Sequence, residues 1–325
     1  MKESNDLKDE SRSYKREKQK GERWDGYLIR STSSFQKLMP YLMNTRDGSS
    51  IYFKNTFDAT RIVEYLNKKN EELNEKVFNN SSDCNTADIQ ENFNSKLSEK
   101  YTYNHFFMTA ITRVIAMRPH LNRFIAGKKI YQRHNIELAY VVKKQFSDDG
   151  EESVTISKFE RDSNIYDVVK ILNPVINGVK DGSDDEHGDF LNTFLKFPSF
   201  IVSFVVTLMN FFIVLGHCPV FLRKMDVMQC SAFVSNLGSI DLATVPIHHL
   251  YDRGTCSVFI TVGKVRKVKS DHVGASKKYE VEISVTMDER VTDGFYLINS
   301  LKVLQEILND PEQLNKRLKE VPMDV

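Results

Sequence analysis

Five polar side chains stand where the local pattern would let them do chemistry: Glu289, Asp293, Ser235, His248 and His249. Glu289 follows a two-residue alternation in which Tyr279, Val281, Ile283, Val285 and Met287 are apolar and Lys278, Glu280, Glu282, Ser284, Thr286 and Asp288 are polar. That is the pattern of a half-buried strand. If the parity runs two residues further, Glu289 turns its carboxylate toward the apolar side, at the corner where a helix begins. Asp293 precedes the helical stripe of Phe295, Leu297, Ile298, Leu301, Leu304, Ile307 and Leu308. It is placed to cap the first turn, and Gly294 allows a tight corner. Ser235 ends an apolar strand just before the glycine turn Asn236-Leu-Gly238; its hydroxyl either bonds its own turn or is free to meet a ligand. His248 and His249 are followed by Tyr251 and Asp252. Neighbours on extended backbone point opposite ways, which argues against a shared metal and leaves a structural role, a binding site or an interface open.

Several chemistries are excluded by pattern. The chain has no phosphate-cradling glycine loop, no His-Glu-x-x-His pair and no Gly-x-Ser-x-Gly elbow, so the simplest nucleotide, metalloprotease and hydrolase readings fall away. Lys and Arg total 45 against 44 for Asp and Glu, a balance that offers no basic excess for nucleic acid. Cys84, Cys218, Cys230 and Cys256 are scattered, with no Cys-x-x-Cys pair, the usage of reduced cytoplasmic thiols rather than of disulfides or zinc. Residues 2–23 are polar and hold no apolar signal core, so secretion by that route is not expected.

The elements that must hold these residues are mixed. Residues 1–23 alternate charges of both signs with almost no apolar side chains, and such a tail does not repay its ordering entropy. A single domain is expected over residues 24–325. Within it, a strand is predicted at residues 51–57, then a helix capped by Asp58 and carrying Ile62, Val63, Leu66 and Leu73. A core helix carries Phe106, Phe107, Ala110, Ile111, Val114 and Ile115 and is stopped by Pro119. Residues 129–146 and 153–159 read as a hairpin turning at Asp148, Asp149 and Gly150. A helix over residues 164–177, an acidic loop over 181–189, and strands at 230–235 and 257–268 complete the pattern.

A hydrophobic helical insertion interrupts it at about residues 190–224. Phe197 and Leu222 bound a run of 26 residues without formal charge, flanked by Lys196 and by Arg223 and Lys224. Pro198 and Gly216 limit the uninterrupted helix to residues 199–215, roughly 25 Å against a hydrocarbon core of about 30 Å. A single span would also separate the first strands from the last. A buried or subunit-interface helix pair, a monotopic membrane contact and, least favoured, a true span remain as readings.

With these residues in view a resemblance emerges. Asp288-Glu-Arg-Val-Thr-Asp-Gly294 resembles the Asp-His-Arg-Val-x-Asp-Gly signature of the catalytic domain of 2-oxoacid dehydrogenase acyltransferases, whose fold is shared with chloramphenicol acetyltransferase. Ser235-Asn-Leu-Gly238 is similar to that family's Ser-Asn-Leu-Gly strand end, and Arg118-Pro-His-Leu-Asn122 to its Pro-x-Leu-Asn step. All three occur in the family's order. The resemblance implies an α/β fold with a large mixed sheet flanked by helices in a two-layer sandwich, a homotrimer with active sites between subunits, and acyl transfer between coenzyme A and an acceptor. It places Glu289 where the family has its catalytic histidine, Asp293 at the acidic residue that orders the site, and Ser235 at the hydroxyl that stabilises the tetrahedral oxyanion. Asn236, Gly238, His248 and His249 become candidate substrate-binding residues. No lipoyl domain with an Asp-Lys-Ala arm and no subunit-binding domain is present, and no metal is implied.

Replacing histidine by glutamate has a calculable effect. Moving a proton from a thiol of pKa about 8.5 to a glutamate of about 4.3 is uphill by roughly 5.7 kcal/mol, against about 2.7 kcal/mol for a histidine near 6.5. The difference of about 3 kcal/mol is on the order of 100-fold in rate, and burial of the carboxyl would narrow it. Two functions follow: a soluble or loosely membrane-attached cytoplasmic acyltransferase centred on Glu289, Asp293 and Ser235, or a non-catalytic oligomeric scaffold of the same fold.

Overall fold

The computed structural model describes residues 22–80, 100–143, 152–180, 194–216, 226–268 and 278–322. The chain runs β1 (Gly26–Leu28), α1 (Ser34–Leu42), β2 (Ser50–Asp58), α2 (Thr60–Asn80) and α3 (Tyr103–Met117). Next come β3 (Arg123–Ala126), β4 (Lys129–Arg133), β5 (Ile136–Lys143), β6 (Glu152–Phe159), α4 (Ile165–Lys180) and α5 (Ser199–Leu215). The last part is β7 (Ala232–Asn236), β8 (Val258–Val262), β9 (Arg266–Val268), β10 (Lys278–Asp288) and α6 (Gly294–Asn309).

The main sheet has the order β2-β10-β8-β7-β5-β6, with β9 also paired to β10. Strands β5, β7 and β8 run parallel, and the other pairs are antiparallel, so the fold is the expected α/β class with a mixed sheet. Helices α2, α3, α4 and α6 form the layer against one sheet face. Helix α3 is buried from His105 to Ala116, because apolar residues crowd it on all sides. Its start is fixed by a capping box in which the Thr102 side chain and His105 each satisfy the other's backbone N–H.

The opposite sheet face departs from the solvated surface expected of a half-buried strand. Ser284 and Thr286 of β10 are buried, and their hydroxyls donate to the carbonyls of Pro246 and His248 at 3.0 and 2.5 Å. Residues 245–250 therefore cover this face as a strap, and the hydroxyls pair with its backbone in place of water.

The expected single strand over residues 129–146 is two strands in different sheets. β4 belongs to a second sheet of order β1-β4-β3, and β5 enters the main sheet. The turn joining β3 to β4 holds Gly127 and Lys128 at φ 55° and 63°, the two left-handed residues of a tight hairpin turn. The β5–β6 hairpin forms as expected, and its tip at residues 148–150 lies outside the described residues. So do the acidic loop 181–189 and most of the charged tail. Arg23, grouped with that tail by charge pattern, is buried and ion-paired with Asp25 at 2.7 Å.

Helix α5 has the bounds set by Pro198 and Gly216, and Gly216 ends it at φ 76°. No helix among the described residues is long and apolar enough to cross a membrane. Cys230 and Cys256 are buried free thiols that lead into the neighbouring strands β7 and β8. Burial pushes the Cys230 thiol well up, and a hydrogen bond from Cys230 brings Cys256 below the ordinary thiol value.

Candidate active site

The corner after β10 is built on a fully buried carboxylate, Asp288. Strand alternation puts Asp288 and Arg290 on one side of the chain, and Arg290 holds the carboxylate at two points, 2.8 and 2.7 Å. A second guanidinium, Arg46, stands 3.6 Å from Asp288 Oδ2. Burial pushes the Arg46 pKa down, and the attraction of Asp288 opposes that shift. Arg46 Nη1 also donates to the carbonyls of Tyr251, Asp252 and Arg253. Two cations share one anion, and all three side chains are buried, so the corner is a water-excluded frame.

Glu289 lies between Asp288 and Arg290 and stays out of this pairing. Its backbone N–H continues the β2 ladder by donating to Ser49 at 2.9 Å. Its side chain is half-buried, less enclosed than the inward parity suggested, and it has no polar partner among the described residues. The next residues close the turn: Val291 O accepts from Gln36 of α1 at 3.0 Å, and Thr292 meets His120 Nδ1 at 3.4 Å. His120 in turn stacks on Tyr296, whose ring also takes the Arg118 guanidinium at 3.7 Å.

Asp293 caps α6 as its position implied, accepting from Tyr296 N at 2.7 Å. It is exposed. The nearby guanidinium of Arg46 is committed to Asp288 and does not pair with Asp293. Phe295 and Ile298, assigned to the core stripe of α6, are 74% and 50% exposed. Phe295 falls about 160° around the helix from the buried Leu297, which is why the stripe excludes it.

Ser235 sits at the other end of the sheet. It pairs with Thr261, which pairs with Ser284, five residues before Glu289. At about 3.3 Å per residue and about 4.8 Å per strand the two positions are nearly 20 Å apart. Alternation also sets Ser235 on the face of Ser284, opposite the apolar face of Met287, while Glu289 lies in the turn just past the end of β10. A single protomer does not bring them together. Asn236 shapes the turn after Ser235, its Oδ1 accepting from Gly238 N at 3.1 Å and its Nδ2 donating to Asn104. Gly238 has Gly263 O and Lys264 Cα about where a side chain would need room, each 3.2 Å from a Cβ position.

The two histidines do not point opposite ways. Their rings are parallel with centroids 5.0 Å apart, and His248 stacks on Phe259 at 3.9 Å. Phe259 stacks on Phe233. The strap is not a strand, so strand alternation does not govern it, and each Nδ1 contacts the following carbonyl. His249 Nδ1 lies 3.5 Å from Asp47, which joins the pair to the Arg46 side of the corner. Among the described residues no group of three or more His, Cys, Asp or Glu could hold a metal.

Sequence reading missed Asp288 and Arg290 as the frame. Their i, i+2 spacing on a strand was the available signal, because it gives opposite charges one face.

No protein-family model matches the chain, and no curated protein matches it. Solved structures do. A probable dihydrolipoamide acetyltransferase from Listeria monocytogenes 4b F2365 matches over 90% of this chain and 98% of its own, with a TM-score of 0.52 at 15% identity. The cubic core of a pyruvate dehydrogenase multienzyme complex matches over 88% and 93%, with a TM-score of 0.53 at 12% identity. A chloramphenicol acetyltransferase matches over 87% and 99%, with a TM-score of 0.53 at 8% identity. At such identities the likeness is one of fold, and the chain has a chloramphenicol acetyltransferase-like fold.

Proposed function

We propose that the chain is a coenzyme A-dependent acyltransferase whose sites form between the subunits of a homotrimer, with Glu289 in the place of a histidine base. The observation that carries this reading is the separation of Glu289 from Ser235 by nearly 20 Å along and across the sheet. Two groups that would act on one thioester are brought together only by a neighbouring copy. Phe295 and Ile298, exposed beside the corner, are the surface such a copy would cover.

In this assembly Glu289 takes the proton of the attacking thiol as its sulfur approaches the thioester carbonyl. Ser235 of the adjoining subunit donates a hydrogen bond to the oxyanion that forms, and the intermediate collapses by breaking the bond from the acyl carbon to the coenzyme A sulfur, which leaves with the proton held by Glu289. Asp288, held by Arg46 and Arg290, fixes the backbone on either side of Glu289. Cover from the neighbour withdraws Glu289 from water. Asp293 keeps α6 in register with the corner, and His248 and His249 line the approach from the strap side. The acyl donor is a coenzyme A thioester.

The reading is tested by acyl exchange from acetyl coenzyme A to a free thiol, together with calorimetric binding of coenzyme A. The wild type is expected to bind and exchange, Glu289→Gln to bind without exchanging, and Glu289→His to exchange on the order of 100-fold faster. Silence in all three chains without coenzyme A binding overturns the enzyme reading and leaves an oligomeric scaffold of the same fold. An inactive wild type rescued by Glu289→His would mark an intact site that lacks its base.

A further inference from the structure

Helix α5 turns Phe200, Phe204, Leu208 and Phe211 to solvent, each between 41% and 72% exposed. At 100° per residue they fall within an arc of about 80°, so they form one ridge. The far side of the helix holds Met209 and Ile213, buried against the domain. Ser203, Thr207 and Asn210 occupy one flank, and the Thr207 hydroxyl is satisfied by the Ser203 carbonyl of its own helix at 2.8 Å.

The ridge is held outward. Arg23, itself anchored by Asp25, donates from Nη1 to the Ile213 and Val214 carbonyls at 2.6 and 3.3 Å. Val214 also packs on Gly127 at the tip of the β3–β4 hairpin, where an added Cβ would come within 3.3 Å of it. That contact brings Lys128 and the exposed Lys129 beside the C-terminal end of the helix. Lys196 precedes the N-terminal end, and residues 194–216 include no carboxylate.

We propose that α5 is a docking helix that lies flat in the headgroup boundary of an anionic lipid bilayer. The helix is too short to span, and its internally paired backbone can enter hydrocarbon without leaving polar groups unpaired. A ridge of three phenylalanines and a leucine has no donor or acceptor to offer a protein, whose interfaces make about one hydrogen bond per 100–200 Å². Cations at both ends with no acidic residue between them match a plane of phosphate headgroups. This inference does not depend on acyl transfer.

The test is flotation of the full chain with vesicles of phosphatidylcholine containing 30% phosphatidylglycerol, beside vesicles of phosphatidylcholine alone. The wild type is expected to float with the anionic vesicles. Phe204→Ser combined with Phe211→Ser should lower the bound fraction at least tenfold, and Lys129→Glu combined with Lys196→Glu at least threefold. All these side chains are solvent-facing, so thermal unfolding should be unaltered; the lysine pair reads the same surface if the phenylalanine pair fails to fold. A wild type that stays with the aqueous fraction overturns the proposal. So does floating by either variant as well as the parent. A wild type that does not float, with an oligomeric mass that falls in the phenylalanine variant, would assign the ridge to contact between copies.

Discussion

Arg290 grips Asp288 across the residue between them: Nε meets Oδ1 at 2.8 Å and Nη2 meets Oδ2 at 2.7 Å, and both side chains are almost wholly buried. Asp288 Oδ1 also accepts from the Arg290 backbone N–H at 3.1 Å. A loop this short, closed by three contacts, fixes the backbone dihedrals of Glu289. Arg290 also reaches the Met43 carbonyl after α1 at 3.2 Å, so the corner, α1 and the Arg46 turn are tied into one unit. The residue the corner presents is positioned by its neighbours' charge, whatever its own chemistry.

Asp288→Asn should therefore be far more damaging than the loss of one hydrogen bond. It leaves Arg290 and Arg46 buried without a counter-charge, and removing one partner of a buried pair typically costs about 3–5 kcal/mol. Denaturant unfolding measures this directly. A loss below about 1 kcal/mol would mean that water reaches the corner and that the frame is weaker than its geometry indicates.

If the site is shared between copies, complementation follows. Chains carrying Ser235→Ala and chains carrying Glu289→Gln should each be inactive as pure assemblies. Unfolded together and refolded at equal ratio, they should regain about a quarter of wild-type exchange, because a random mixture gives that share of boundaries with both residues intact. No recovery in assemblies that mass measurement shows to be mixed would put both groups in one protomer's site, against their separation.

Periodicity made much of this legible. The alternation in β10 and the apolar stripe on α3 gave their elements directly, and Pro198 with Gly216 gave the bounds of α5, because each is a local rule. The errors share a cause. Residues 129–146 look like one strand locally, yet the hairpin turn at Gly127 and Lys128 commits the first part to a different sheet. Strand alternation sends His248 and His249 opposite ways, while the strap takes its shape from the stack on Phe259 and the hydroxyls beneath it. The distance from Ser235 to Glu289 depends on strand order, which no local pattern carries.

Asp293 separates helix capping from chemistry. Asp293→Ala removes the acceptor for Tyr296 N and should lower stability by about 1 kcal/mol, with Asp293→Asn retaining most of it. The Asn variant then reports on charge alone. Equal exchange rates for wild type and Asp293→Asn would restrict Asp293 to holding α6, and a drop in the Asn variant at unchanged stability would show that its charge orders the site.

His105 sets a pH limit on the fold. Its Nε2 contacts Asn173 Oδ1 at 2.8 Å and its Nδ1 accepts from Thr102 N at 3.2 Å, an arrangement that suits the neutral ring. Burial pulls its pKa below the ordinary value, although the bonds to Asn173 and to the Lys100 carbonyl favour the charged form. Protonation would set an Nδ1–H against the Thr102 N–H, two donors face to face. In the unfolded chain the ring takes a proton near pH 6.5, so below that value the unfolded state binds more protons than the native state. Stability is thus full above about pH 6.5 and falls on acidification toward the lower native pKa, by at most about 1.4 kcal/mol per pH unit from this group. Guanidinium unfolding at pH 7.5 and 5.5 should show a smaller acid loss for His105→Gln than for the wild type. Equal losses in the two chains would mean that His105 is as easily protonated in the native state as in the unfolded one.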